Sequence, residues 1–188
     1  MSDAPLIGVL ALQGGFEAHE RMLERLGAST REVRTAAGLD GLDGLVIPGG
    51  ESTTMTLGVE REGLAEPLRR LAASGTPILG SCAGLIMLDR DHLALMDMRA
   101  RRNAFGRQTH SFEADVPIEG IEGGPLRAVF IRAPWVAEHG PDVEIIGRVD
   151  GHAIAARQRC LLAVAFHAEL GEDPRLHEAF LRSVRSRS

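Results

Sequence analysis

The chain has 188 residues, 44% of them hydrophobic and 25% charged, with a formal net charge of -5 at pH 7. That length suits one domain with a well-buried core, expected to span 1–188, and the acidic balance argues against a nucleic-acid or membrane-surface binder. Two cysteines make no disulfide framework, no apolar run approaches the roughly 20 residues that cross a bilayer, and the first five residues carry no basic leader, so a reduced cytoplasmic protein is expected. Residues 6–12 are apolar on both faces, as a strand inside a parallel sheet requires. Residues 16–26 follow as a helix, with Met22, Leu23 and Leu26 at helical spacing and Gly27 as its stop. Residues 29–33 form a weaker strand, and residues 44–47 a third strand that ends in Pro48-Gly49-Gly50. Residues 62–73 are expected to be helical, 76–79 a buried strand, and 85–88 the start of another helix. This alternation predicts a three-layer α/β fold around a mainly parallel sheet.

The second half has a different rhythm. Segments 96–101, 111–115, 128–131, 144–149 and 161–166 are strand-like with few helices between them, which predicts a mixed sheet with an antiparallel extension. Residues 174–184 close the chain as a helix, with Asp173 as N-cap and Pro174 at the first helical position.

Gly80-Ser81-Cys82-Ala83-Gly84 lies between the expected strand and helix. Small residues on every side of the cysteine permit a sharp turn with the thiol at its tip, a G-x-S-x-G nucleophile elbow with sulfur in place of oxygen. A helix N-terminus favours the thiolate, and the Ala83 N–H is placed to receive an oxyanion. A cysteine nucleophile needs a base, and the base needs an orienting group. Among seven histidines, His167 stands out at the end of the apolar run 161–166. Glu169 follows two residues later, on the same face if the chain stays extended. The glycines of Pro48-Gly49-Gly50-Glu51-Ser52-Thr53-Thr54 allow a tight turn that exposes N–H groups, making Gly50 the candidate second oxyanion donor. A helix entry capped by Ser52 or Thr53 is compatible with that role, and without the G-K-[ST] ending the loop is no phosphate-binding P-loop. His19, His92, His110, His139, His152 and His177 form no metal spacing, and Cys160 has no elbow or base near it.

Taken together with Leu12-Gln13-Gly14, Arg102-Asn103-Ala104-Phe105-Gly106-Arg107-Gln108, Ser111-Phe112-Glu113, Phe130-Ile131-Arg132-Ala133-Pro134 and Phe166-His167-Ala168-Glu169, these strings resemble one family over nearly the whole chain. It is the glutaminase subunit of pyridoxal 5′-phosphate synthase, a class I triad glutamine amidotransferase with a flavodoxin-like fold. The resemblance implies that Cys82 attacks the side-chain amide of L-glutamine, that His167 moves the protons, and that Glu169 orients His167. It implies a glutamine site lined by Gly50, Glu51, Ser52, Arg102, Ile131 and Arg132, with Gly50 and Ala83 as oxyanion donors and with no metal or organic cofactor. It also implies a separate (β/α)₈-barrel synthase subunit as the acceptor of ammonia, with the Gln13-Gly14 turn near that partner.

Three departures stand out. Ala168 replaces the proline usual between the histidine and the glutamate, which predicts a small loss of triad rigidity. Gly15 stands where an acidic residue is more usual, and the segment Asp89-Arg90-Asp91-His92 is short for the family. The competing readings are an amidotransferase serving another acceptor, a γ-glutamyl hydrolase, a thiol peptidase with a similar elbow, and a non-catalytic assembly module.

Overall fold

The computed structural model describes residues 4–105 and 111–187; Gly106, Arg107 and Gln108 of the expected motif, and His110, lie outside them. In chain order the elements are β1 (Leu6–Leu10), α1 (Phe16–Arg25), β2 (Ser29–Val33), β3 (Gly44–Ile47), α2 (Ser52–Arg61), α3 (Ala65–Ala73), β4 (Ile78–Ser81) and α4 (Ala83–Leu88). They continue with β5 (Met98–Arg101), β6 (Ser111–Val116), β7 (Leu126–Ile131), β8 (Trp135–His139), β9 (Glu144–Val149), β10 (His152–Gln158), β11 (Leu161–Val164) and α5 (Arg175–Arg185).

The main sheet has the order β2-β1-β3-β4-β11-β10-β8-β5, with β9 also paired to β10, and β6 and β7 form a separate two-stranded sheet. Pairing is parallel from β2 through β11 and antiparallel beyond it. The parallel part is therefore a flavodoxin-like half, and the rest is the antiparallel extension expected from the change of rhythm. Both faces of β3 are covered. Gly44 faces Phe180 and Val184 of α5, whereas Gly84 of α4 lies against Ile47. Ile7, Leu45, Val46, Ile47, Ile78 and Leu79 are fully buried between these layers, as two-sided parallel strands require.

Several predicted elements shift at their ends, and α2, β8 and β10 are additional. The helix expected over 62–73 begins only at Ala65, and α2 precedes it. The break falls at Gly63, which takes φ +62, a conformation that ends a helix at little steric cost in glycine. The expected strand 76–79 starts at Ile78 and reaches Ser81, beside the elbow. The strand expected over 161–166 stops at Val164. The last helix starts at Arg175 with Pro174, not Asp173, at the N-cap position, although Asp173 Oδ1 still accepts the Arg175 N–H at 3.0 Å.

Strands β8 and β10 had no clear sequence signal. The β10 sequence HAIAARQ is rich in alanine, a weak strand former. It is extended because it pairs with β8, β9 and β11, so tertiary pairing overrides propensity.

The elbow depends on close helix–strand approach. A Cβ added to Gly84 would lie 2.1 Å from the Ile47 carbonyl oxygen, a backbone atom that cannot rotate away. Gly84→Ala should therefore lower stability by about 1–3 kcal/mol through overpacking, read as a reduced denaturant midpoint at an unchanged m-value.

Candidate active site

Strands β1, β3, β4 and β11 are neighbours, and the chain leaves all four at the same edge of the sheet. That is the edge where α/β proteins bind ligands. Pairing of Ile47 with Gly80 and of Val164 with Ser81 brings the ends of β3, β4 and β11 level. The Gly15 N–H donates to the Gly49 carbonyl at 2.9 Å and the Glu51 N–H to Gln13 Oε1 at 2.7 Å, stitching the loop after β1 to the loop after β3.

Cys82 occupies φ 52, ψ -103, a sparsely populated conformation for a non-glycine residue. Such strain costs of order 1–3 kcal/mol and persists only where the surroundings over-determine it. Here its N–H donates to the Val164 carbonyl at 2.8 Å, while its carbonyl accepts from Leu85 at 3.0 Å and Ile86 at 3.4 Å. The thiol lies 4.0 Å from the Ile131 carbonyl oxygen and lines the same cleft as His167.

His167 and Glu169 converge by a different route from the one expected. Beyond Val164 the chain bends, and the two residues sit on a turn rather than on an extended strand. The His167 N–H donates to the Val129 carbonyl of β7 at 2.8 Å, anchoring that turn. Phe130 next to it stacks on Phe112 at 4.6 Å and meets Phe166 edge-on at 5.8 Å. His167 Nδ1 is 2.7 Å from Glu169 Oε1, so Nδ1–H donates to the carboxylate and Nε2 is left to face the sulfur. Ala168 is buried, and this contact is kept without the proline.

The Glu169 side chain is only 2% exposed. Its second oxygen, Oε2, lies 3.2 Å from Ser81 Oγ and 3.2 Å from His19 Nε2. Ser81 Oγ also lies 2.9 Å from the Phe166 carbonyl, so its one proton is shared between two acceptors. The His19 approach is of ion-pair length but is not directed as a good hydrogen bond, so the contact is mainly electrostatic. Behind His19, its Nδ1 is 2.8 Å from His177 Nε2.

The electrostatics follow from these contacts. Burial alone would push the His167 imidazole down, but hydrogen bonds and charge from Cys82 and Glu169 outweigh it and raise it to about 10. Burial would likewise push Glu169 up, yet its hydrogen bond to His167 and the closeness of His19 hold it well below the usual carboxylate range. His177 is pushed down to about 3, chiefly by burial.

A cleft of about 290 Å³ opens in front of Cys82 and His167. Gly50, Glu51, Ser52, Ala83, Arg102, Ile131 and Arg132, all named from the sequence, line it. Gln13, Ile86, Asn103 and Pro134 line it as well and were not foreseen there. The expected cap is corrected. Neither Ser52 nor Thr53 caps α2; Glu51 does, accepting from the Thr53 N–H at 3.1 Å and the Thr54 N–H at 2.7 Å. A carboxylate meets the positive end of the helix better than a hydroxyl does, and these bonds, the Thr54 N–H first, lower Glu51 to about 2. Arg102 reaches the same group, with Nη2 3.2 Å from Glu51 Oε1 and Nη1 3.2 Å from Thr53 Oγ1.

His19, His177 and Ser81 were missed as parts of the site. The available signal was helical spacing: His19 shares a buried stripe with Met22 and Leu23, and His177 with Phe180, Leu181 and Val184. A second cleft, of about 160 Å³, holds Cys160 with Arg157, Arg159 and Arg182 but has no histidine in its lining.

A sulfur, an imidazole and a buried carboxylate in series form an arrangement competent for attack on a carbonyl carbon with proton transfer to the leaving group. Comparison with known proteins agrees with that class. The model of the SNO glutamine amidotransferase family matches residues 9–186. Pyridoxal 5′-phosphate synthase subunit PdxT of Acidothermus cellulolyticus is 52% identical over 97% of this chain and 95% of its own length, and that of Corynebacterium jeikeium is 51% identical over 97% and 98%. A solved glutamine amidotransferase superposes with a TM-score of 0.89 at 41% identity, covering 95% of this chain and 98% of its own. PurLQS from Thermotoga maritima, at 17% identity and a TM-score of 0.74, shares the fold. The chain belongs to the SNO glutamine amidotransferase family.

Glu169→Gln removes the negative charge and reverses part of the hydrogen bonding that holds the proton on His167. The His167 imidazole should then titrate at clearly lower pH than about 10, as followed by NMR of ring-labelled histidine.

Proposed function

We propose that residues 1–188 form one glutaminase domain that hydrolyses L-glutamine to L-glutamate and ammonia, as a subunit of a pyridoxal 5′-phosphate synthase. The observation that carries this reading is Cys82, held on a strained elbow beside a His167 that is itself held by buried Glu169, at the floor of a cleft lined by the expected glutamine contacts. Relatives about 50% identical over nearly their full length carry the synthase-subunit name.

In this mechanism the Cys82 sulfur attacks the side-chain amide carbon of glutamine. The carbonyl π electrons move onto oxygen, where the N–H groups of Gly50 and Ala83 stabilise the developing charge. His167 delivers its proton to the amide nitrogen, the C–N bond breaks, and ammonia leaves a glutamyl thioester. Neutral His167 then takes a proton from water as it attacks the thioester, and the expelled sulfur recovers its pairing with the imidazolium. Glu169 keeps Nδ1–H engaged throughout, so Nε2 does the proton transfer. Arg102 and Arg132 supply positive charge for the substrate α-carboxylate, while Glu51 is placed to receive the α-amino group.

The ammonia acceptor in this reading is a (β/α)₈-barrel synthase subunit docked near the Gln13-Gly14 turn. The stitching of Gln13 to the Glu51 N–H connects that turn to the cleft. We place the activity in the cytoplasm, consistent with two free cysteines.

Cys82→Ala should lower glutamate release from L-glutamine by at least about 10³-fold, as expected for removal of a covalent nucleophile, while the thermal melt stays near that of the parent. With Cys82 intact, glutamate release should rise when the synthase subunit is added. A folded, docked protein that releases no glutamate with or without that subunit would defeat the proposal.

A further inference from the structure

The Glu169 side chain is almost wholly buried, and a pair of histidines is packed behind it. His19 on α1 and His177 on α5 are both fully buried. Their rings lie 5.1 Å apart between centroids. His177 Nδ1 has no hydrogen-bond partner among the described residues. Two adjacent imidazoles in an aliphatic layer are costly to bury, and packing alone would be served as well by leucine.

The proton positions follow from counting donors and acceptors. His177 Nδ1 and His19 Nε2 both lack a directed hydrogen-bond partner, but His19 Nε2 lies 3.2 Å from Glu169 Oε2, where a bare lone pair would face a carboxylate, so His19 carries its proton on Nε2 and the proton shared between the rings belongs to His177 Nε2. Nε2–H then donates to His19 Nδ1 at 2.8 Å. A neutral His19 that accepts at Nδ1 carries its own proton on Nε2, the atom 3.2 Å from Glu169 Oε2. Both N–H dipoles therefore point towards the carboxylate.

We propose that His19, oriented by His177, is a positioning residue that fixes and keeps ionised the Glu169 carboxylate from the side opposite His167. This rests on the triad reading above. The titratable groups facing Glu169 are His167 on its own loop, His19 from α1 with His177 of α5 behind it, and Cys82 beyond His167; Ser81 adds a neutral hydroxyl. Without His19, Oε2 would keep only half of one shared hydroxyl proton, so the carboxylate would protonate more readily and hold Nδ1–H of His167 less firmly.

Kinetics of the glutaminase assembled with its synthase subunit test the role. His19→Leu should lower kcat about tenfold or more, the loss of roughly one polar contact to a charged group, with KM little changed and the acid limb of the kcat–pH profile moved to higher pH. His19→Gln, whose amide restores an N–H donor, should recover most of kcat and the original limb. A His19→Leu enzyme with parental kcat and pH profile overturns the proposal, as does a folded His19→Gln enzyme no better than His19→Leu. A second measurement needs neither variant nor turnover. Long-range ¹H–¹⁵N correlation spectra of the histidine-labelled parent at neutral pH should show neutral rings protonated at Nε2 for both His19 and His177. A proton on His177 Nδ1 overturns the arrangement even if glutaminase activity is found, and Nε2 protonation supports it even if the synthase assignment fails.

Discussion

The structure depends on one backbone constraint, the turn at Cys82 that converts β4 into α4 within a single residue. For the sulfur to stand clear of the sheet edge, Cys82 must hold φ 52, and the helix behind it must lie almost on the neighbouring strand. Gly80 and Gly84 make room for that approach, since a Cβ on either would meet backbone atoms at 2.6 Å or less. The strain is balanced by a hydrogen bond to β11 and by a helix that is buried along its whole length. Other features of the cleft follow from where this turn places the sulfur.

The second requirement is a charged group in a dry place. The Glu169 side chain is buried, and burial would neutralise it unless donors surround it. His167 and Ser81 supply those donors, and His19 approaches from a third part of the chain. The same geometry explains why Ala168 is tolerated between His167 and Glu169. The turn is held by the His167 N–H bond to β7 and by the aromatic cluster of Phe112, Phe130 and Phe166, so it does not rely on a proline to fix it. Gly15 also lies against Glu169, where an added Cβ would come within 3.1 Å of Oε1; the small residue leaves the carboxylate its position.

Much of this was legible in residues that carry their conformation locally. Apolar runs bounded by glycine placed β1, β3 and the strand before the elbow to within a few residues, because strands buried on both faces have few other sequences open to them. The elbow was readable for the same local reason. Sequence was a poor guide where pairing partners decide conformation. The alanines of β10 become a strand only between β8, β9 and β11. The cap of α2 fell to Glu51 over two neighbouring hydroxyl residues because a carboxylate satisfies two N–H groups at once and also meets Arg102.

The amino-acid sequence by itself singled out Cys82, His167 and Glu169 as candidate nucleophile, base and carboxylate, and determined the alternation that gives a parallel α/β half, since each is written in short-range composition and spacing. Only the tertiary structure decided how His167 and Glu169 meet, through a turn anchored on β7 where an extended strand was expected. It alone brought Gln13 into the cleft and set His19 and His177, 158 residues apart, against each other behind the carboxylate. The reason is physical. Spacing along a chain fixes which side chains share a face, but a buried charge takes its donors from whichever elements the fold packs around it.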